Sequence, residues 1–139
     1  MGNARKTVLR LLTRLENSGS YSNILLDEGL ERSDLSTQDK KFAAALFYGV
    51  LERQITLDNI IREYSRNPKN KLGTEVRVIL RMGLYQLLFM DKIPESAAVN
   101  ESVKLAKQQK LQKSSGFINA ILRSFARDNC KIKYEKLFL

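Results

Sequence analysis

Few residues in this sequence have side chains suited to covalent or acid–base chemistry. Cys130 is the single thiol, and the 139 residues include no histidine. This excludes a histidine base, a nucleophile–histidine pair and a histidine-ligated metal. One cysteine cannot build a zinc cluster, which usually takes about four ligands drawn from Cys and His. No GxGxxG or P-loop pattern occurs, so the glycine-rich phosphate cradles are missing. Cysteine is the usual attacking group on a pyrimidine ring, and Lys131 and Lys133 would favour a thiolate at Cys130. No motif frames it, however, and "DNCKIKYEKLFL" reads as a linker, so Cys130 reads as an ordinary thiol. Asn100 and Glu101 in "AAVNESVKLAK" form an acid–amide pair without a nucleophile or oxyanion site to serve. The sequence assigns no catalytic residue, no cofactor-binding residue and no metal ligand.

The cations offer a different chemistry. The chain carries 24 Lys+Arg against 15 Asp+Glu, a net charge of +9. Residues 1–14 hold four cations and no acid, residues 104–139 sum to +7, and the stretch between them sums to −2. Basic ends on a near-neutral body suit a polyanion, most often nucleic acid. At about 100° per residue, Lys6, Arg10 and Arg14 fall within about 80° of one another on a helix, roughly 150° from the centre of the Val8–Leu15 stripe. They must face solvent, while Arg5 lies toward one edge of the stripe. Such a ridge, free of acid until Glu16, can engage successive phosphates, and arginine adds bidentate geometry. The plainer reading is a solvated outer face. Like charges at i, i+4 mildly destabilise an isolated helix, which favours the functional reading. Arg5, Lys6, Arg10 and Arg14 are the candidate RNA-binding residues.

The elements that must position these residues all read as helix. Val8, Leu11, Leu12 and Leu15 mark the first, which "NSGS" at 17–20 ends; a second runs from Tyr21 to about Arg32. "STQD" at 36–39 has the form of a capping box, Ser36 meeting an orphan amide and Asp39 reaching back. It opens a helix whose broad apolar arc (Phe42, Ala45, Leu46, Val50) suits a central position. Leu57, Ile60, Ile61 and Tyr64 define the fourth. After the polar loop "RNPKNKLGT", Val76, Leu80, Gly83, Leu84 and Leu87 form the strongest stripe, with Gly83 expected to let another backbone come close. Pro94 breaks the chain and starts a sixth helix, with Val99, Val103 and Ala106 facing in. Ser114 or Ser115 is expected to cap a last helix carrying Ile118, Ile121, Leu122 and Phe125. Asn119, in "GFINAILRSF", and Asn100 sit at the borders of their apolar stripes; Asn119 is expected to fasten its helix by a hydrogen bond to backbone.

These signals predict an all-α bundle of six or seven short helices in one domain. No apolar run approaches the ~20 residues that span a bilayer and no signal-peptide core is present, which predicts a soluble cytoplasmic domain with no membrane or metal partner.

"LRMGLYQLLFMDKIPESAAVNESVKLAKQQK" followed by "SSGFINAILRSFAR" resembles the NusB-like domain. That helical RNA-binding unit occurs as the free antitermination factor and as the N-terminal module of RsmB-type (Sun/Fmu) enzymes, which methylate cytosine C5 in 16S ribosomal RNA. "LFYGVLERQITLDNII", "GLYQLLFMDKIP", "LENSGSYSNILLDEGL" and the ending "NAILRSFAR" are similar to the methyltransferase branch. The resemblance covers residues 4–128 and implies a NusB-like RNA-binding domain over residues 1–129. Residues 130–139 would begin a linker toward an absent methyltransferase domain. It implies ribosomal RNA and that domain of the same polypeptide as partners. The S-adenosylmethionine pocket, with its "APGGK"-like loop, and the family's two cysteines in Pro-Cys and Thr-Cys contexts are not in this chain, so the cofactor belongs to the absent domain and this chain would be non-catalytic. RNA binding by the first helix of free NusB proteins carries over to Arg5, Lys6, Arg10 and Arg14. The alternatives are a free antitermination factor that binds RNA together with a ribosomal protein, and a protein–protein docking module whose charge only confers solubility.

Overall fold

A computed structural model describes residues 2–128, so Cys130 and the expected linker at 130–139 lie outside the described residues. Seven helices follow in order: α1 (Gly2–Ser18), α2 (Ser22–Glu31), α3 (Thr37–Glu52), α4 (Gln54–Tyr64), α5 (Thr74–Phe89), α6 (Glu95–Gln108) and α7 (Gln112–Arg127). No strand occurs among the described residues.

Local chemistry accounts for three of the boundaries. Gly19, at φ +67°, takes the left-handed conformation that ends α1, where its amide donates to Leu15 O at 3.0 Å. Ser36 Oγ accepts the Asp39 amide at 3.1 Å, the expected N-cap of α3. Pro94 occupies the N-cap of α6, where its missing N–H costs nothing.

The start of α7 departs from expectation. Ser114 and Ser115 do not cap it; they lie in its first turn, and Ser115 Oγ donates to Gln112 O at 2.7 Å. The helix begins earlier because α6 ends in a Schellman turn. Leu111 N donates to Ala106 O at 2.8 Å and Lys110 N to Lys107 O at 3.2 Å, with Lys110 held at φ 61°. That turn reverses the chain within three residues and sets α7 antiparallel to α6.

The centre of the bundle is α5, not α3. Eleven of its 16 residues are buried, and it packs against every helix except α2. α3 buries five, and Ala45 on its expected inner arc faces solvent. A helix covered on nearly all sides needs apolar residues around its circumference: beside the expected stripe, Val78, Ile79, Met82 and Leu88 are buried as well. Gly83 is the tight point. A Cβ there would stand 2.8 Å from both Leu122 Cδ1 and Ser102 Oγ, so the close neighbours are side chains of α7 and α6 rather than backbone. The inward stripes of α1, α4 and α7 meet around α5 as their periodicity predicts.

Candidate nucleic-acid interface

Lys6, Arg10 and Arg14 emerge on the outer side of α1. Among the described residues none of the three makes an ion pair or a side-chain hydrogen bond. Glu16, the acid that ends the ridge, is drawn away from it toward α5. Its carboxylate accepts from Arg77 Nη2 at 2.8 Å and from Arg81 Nη1 at 3.1 Å.

Arg5 is the correction. It is 4% exposed and does not join the ridge. Its position, one turn before Val8 and Leu9, places it over the inward face, where Nε donates to Gln86 Oε1 at 2.8 Å and the guanidinium sits 5.2 Å from the centre of the Phe42 ring. Gln86, itself 1% exposed, uses its amide nitrogen on Met82 O at 3.0 Å. Burial pushes the Arg5 pKa below its ordinary value, and the Glu101 charge partly opposes this. A cation can stay there because the ring face and the carboxamide replace part of its hydration.

The two border asparagines are joined, but not through backbone. Asn119 Oδ1 accepts from Arg123 Nε at 2.9 Å, and Asn100 Oδ1 accepts from Arg123 Nη2 at 3.2 Å. One arginine therefore ties α7 to α6 across the surface. The expected backbone bond does not form because the amides around mid-helix Asn119 are already bonded within α7, whereas Arg123, at i+4, reaches its oxygen.

Two grooves flank the start of α5. The larger, of about 830 Å³, lies between the α4–α5 loop and α7; its rim carries Arg62, Arg66, Lys71 and Lys113, and Phe117 and Ile121 contribute apolar lining. The smaller, of about 550 Å³, lies beside Lys6 and Arg10 and is lined also by Arg32, Asp34 and Glu75. Neither groove was legible beforehand: Lys6 and Arg10 share α1, but Arg32, Asp34 and Glu75 join them, and Arg62, Arg66, Lys71 and Lys113 come together, only through tertiary contacts. No group of three or more His, Cys, Asp or Glu side chains suited to a metal occurs among the described residues, and no described helix is long and apolar enough to cross a membrane.

An all-α bundle wound around one buried helix, with a basic first helix on its outside, defines a known class, and residues 2–127 match the model of the NusB family: the chain belongs to that family. Among its relatives is a probable ribosomal RNA small subunit methyltransferase B of Synechocystis sp., 38% identical over 127 residues, which are 91% of this chain and 28% of that protein. The corresponding Bacillus subtilis protein is 35% identical over 89% of this chain and 28% of its own length. The chain thus spans under a third of these curated relatives. The transcription antitermination protein NusB of Ruminiclostridium cellulolyticum is 31% identical over 89% of this chain and 86% of its own. Among solved structures, T. maritima NusB superposes with a TM-score of 0.83 at 27% identity, covering 96% of each chain. A structure of the antitermination factors NusB and NusE with dsRNA gives 0.81 at 23% identity, covering 91% of this chain and 96% of that one, a likeness of fold.

Proposed function

We propose that this chain is the RNA-holding domain of a ribosomal RNA cytosine-C5 methyltransferase, with the catalytic, S-adenosylmethionine-binding domain elsewhere in the same polypeptide. The observation that carries the reading is the unpaired cationic ridge Lys6–Arg10–Arg14, whose nearest acid in sequence, Glu16, is committed to α5. Similarity to two methyltransferases of which the chain covers 28% supports the setting. Exposed cations at successive helical turns neutralise phosphates and orient a strand, while the missing domain would reach a base taken out of its stack.

The test is a titration of a 16S rRNA fragment at increasing salt. Each phosphate engaged on single-stranded RNA contributes about −0.7 to the slope of log affinity against log salt, so three contacts give about −2. Replacing Arg10 and Arg14 together with alanine should lower affinity on the order of tenfold or more at low salt and flatten the slope by about 1.4. A flat salt response in the unmodified chain, or full affinity in the double variant, would support a protein-docking role instead.

The match to 86% of an antitermination protein favours one second reading, a free transcription factor. The reading frame separates the two: roughly 300 further residues with Pro-Cys and Thr-Cys motifs identify the enzyme, since that length holds one or two additional domains.

A further inference from the structure

The smaller groove has one side on α1, with Lys6, Arg10 and Thr13, while Arg32 and Asp34 come from the α2–α3 connection and Glu75 from the first turn of α5. Three cations and two carboxylates therefore line one concavity. Yet among the described residues none of these five charged side chains makes an ion pair or a side-chain hydrogen bond. Elsewhere on the same helices, opposite charges that meet do pair, as Glu16 does with Arg77 and Arg81. On the groove's α1 side, the Thr13 hydroxyl is buried without a hydrogen-bond partner among the described residues. A groove of about 550 Å³ is within the range that admits a small ligand.

We propose that this groove binds one unpaired nucleotide of the RNA strand, its phosphate held by Arg32 together with Lys6 and Arg10, and its base selected for an exocyclic amino group by Asp34 and Glu75. This rests on the reading of α1 as an RNA-binding surface and adds a residue, Arg32, and a basis for selection. The two signs of charge have different work to do on a nucleotide. Guanidinium and ammonium groups take phosphate oxygens. Carboxylates repel phosphate and accept hydrogen bonds only, so they suit the exocyclic amino groups of cytosine (N4), adenine (N6) and guanine (N2), which uracil lacks. Uracil presents a carbonyl oxygen at the place where cytosine presents its amino group, and two acceptors facing each other repel. A base in a duplex has this edge occupied by its partner, so the groove selects single-stranded RNA.

The experiment compares fluorescein-labelled oligo(C) and oligo(U) decamers, titrated against the chain at neutral pH and fixed salt. The expected result is tighter binding of oligo(C) by about tenfold, within the range a specific base contact provides. Arg32→Ala should weaken both oligonucleotides and flatten the salt slope by about 0.7. Asp34→Asn with Glu75→Gln, isosteric changes whose folding is checked by thermal melting, should erase the preference by strengthening oligo(U) relative to oligo(C). Equal affinities of the unmodified chain, a preference that survives the double substitution, or an unchanged slope in Arg32→Ala would each overturn the proposal. If Arg10→Ala/Arg14→Ala weakens binding while oligo(C) and oligo(U) remain equal, the groove proposal alone falls. If neither oligonucleotide binds, the RNA-binding reading falls with it.

Discussion

At the scale of single residues, the same side-chain type serves opposite ends on one helix. Arg10 is solvated and unpaired, whereas Arg5, five positions earlier, is enclosed by Phe42 and Gln86. Arg5→Ala should therefore leave RNA affinity within about twofold in the titration above and lower stability in urea by about 1–3 kcal/mol, the cost of breaking a buried hydrogen bond and leaving Gln86 Oε1 unmet. Tyr85 supplies a pH signature. Burial first, and then the Glu52 charge, raise its pKa above the ordinary 10.0, against the opposing charge of Arg53. The unfolded chain then loses the phenolic proton at lower pH than the folded one. This contribution to stability is complete below pH 10 and is lost as pH rises from there through the folded-state pKa. Urea midpoints measured from pH 9 to pH 11.5 should fall for the unmodified chain and fall less for Tyr85→Phe.

At the scale of elements, two backbone positions determine how helices meet. Lys110 holds a left-handed conformation at the C-terminus of α6, where glycine is the usual occupant. Lys110→Gly removes the Cβ strain there and should raise stability by about 0.5–1 kcal/mol, read as an upward shift in melting temperature. Gly49 on α3 lies against the ring of Tyr85, which itself packs on Phe89 with ring centres 5.1 Å apart and planes tilted by 39°. A methyl group at Gly49 would occupy the ring's place, so Gly49→Ala should destabilise by about 1–3 kcal/mol in urea. Helix extents were largely legible in the sequence, because periodicity and caps such as Ser36 act over a few residues. The start of α7 was not, because a lysine in the glycine position of a Schellman turn carries no local signal, and the serines that followed were the stronger lure.

At the scale of the whole molecule, one buried arginine joins three helices distant in sequence. Arg81 of α5 donates to both oxygens of Asp58 on α4, at 2.7 and 2.9 Å, and to Glu16 on α1 at 3.1 Å. Burial alone would lower its pKa, but hydrogen bonds and charge from Asp58 and then Glu16 outweigh this and raise it. Arg81→Ala would leave two carboxylates that are about a third exposed without their shared cation. It should cost about 2–3 kcal/mol in urea, below the range for fully buried pairs because solvent screens the acids. Glu16 keeps its pair with Arg77 at 2.8 Å, so RNA affinity should stay within about twofold in the same variant.

The residue inventory by itself determined what this chain does not do: without histidine or paired cysteines, no arrangement of helices supplies those chemistries. The sequence also determined the all-helical class, most of the apolar stripes and the outward direction of Lys6, Arg10 and Arg14, since each follows from spacing along one helix. Only the tertiary structure decided which charges remain available. Arg5 meets Gln86 across 81 residues and Glu16 meets Arg81 across 65, and no local pattern records such encounters. Pairing and burial, which depend on where the chain returns, withdraw some cations from the surface and leave Lys6, Arg10, Arg14 and Arg32 free for a ligand.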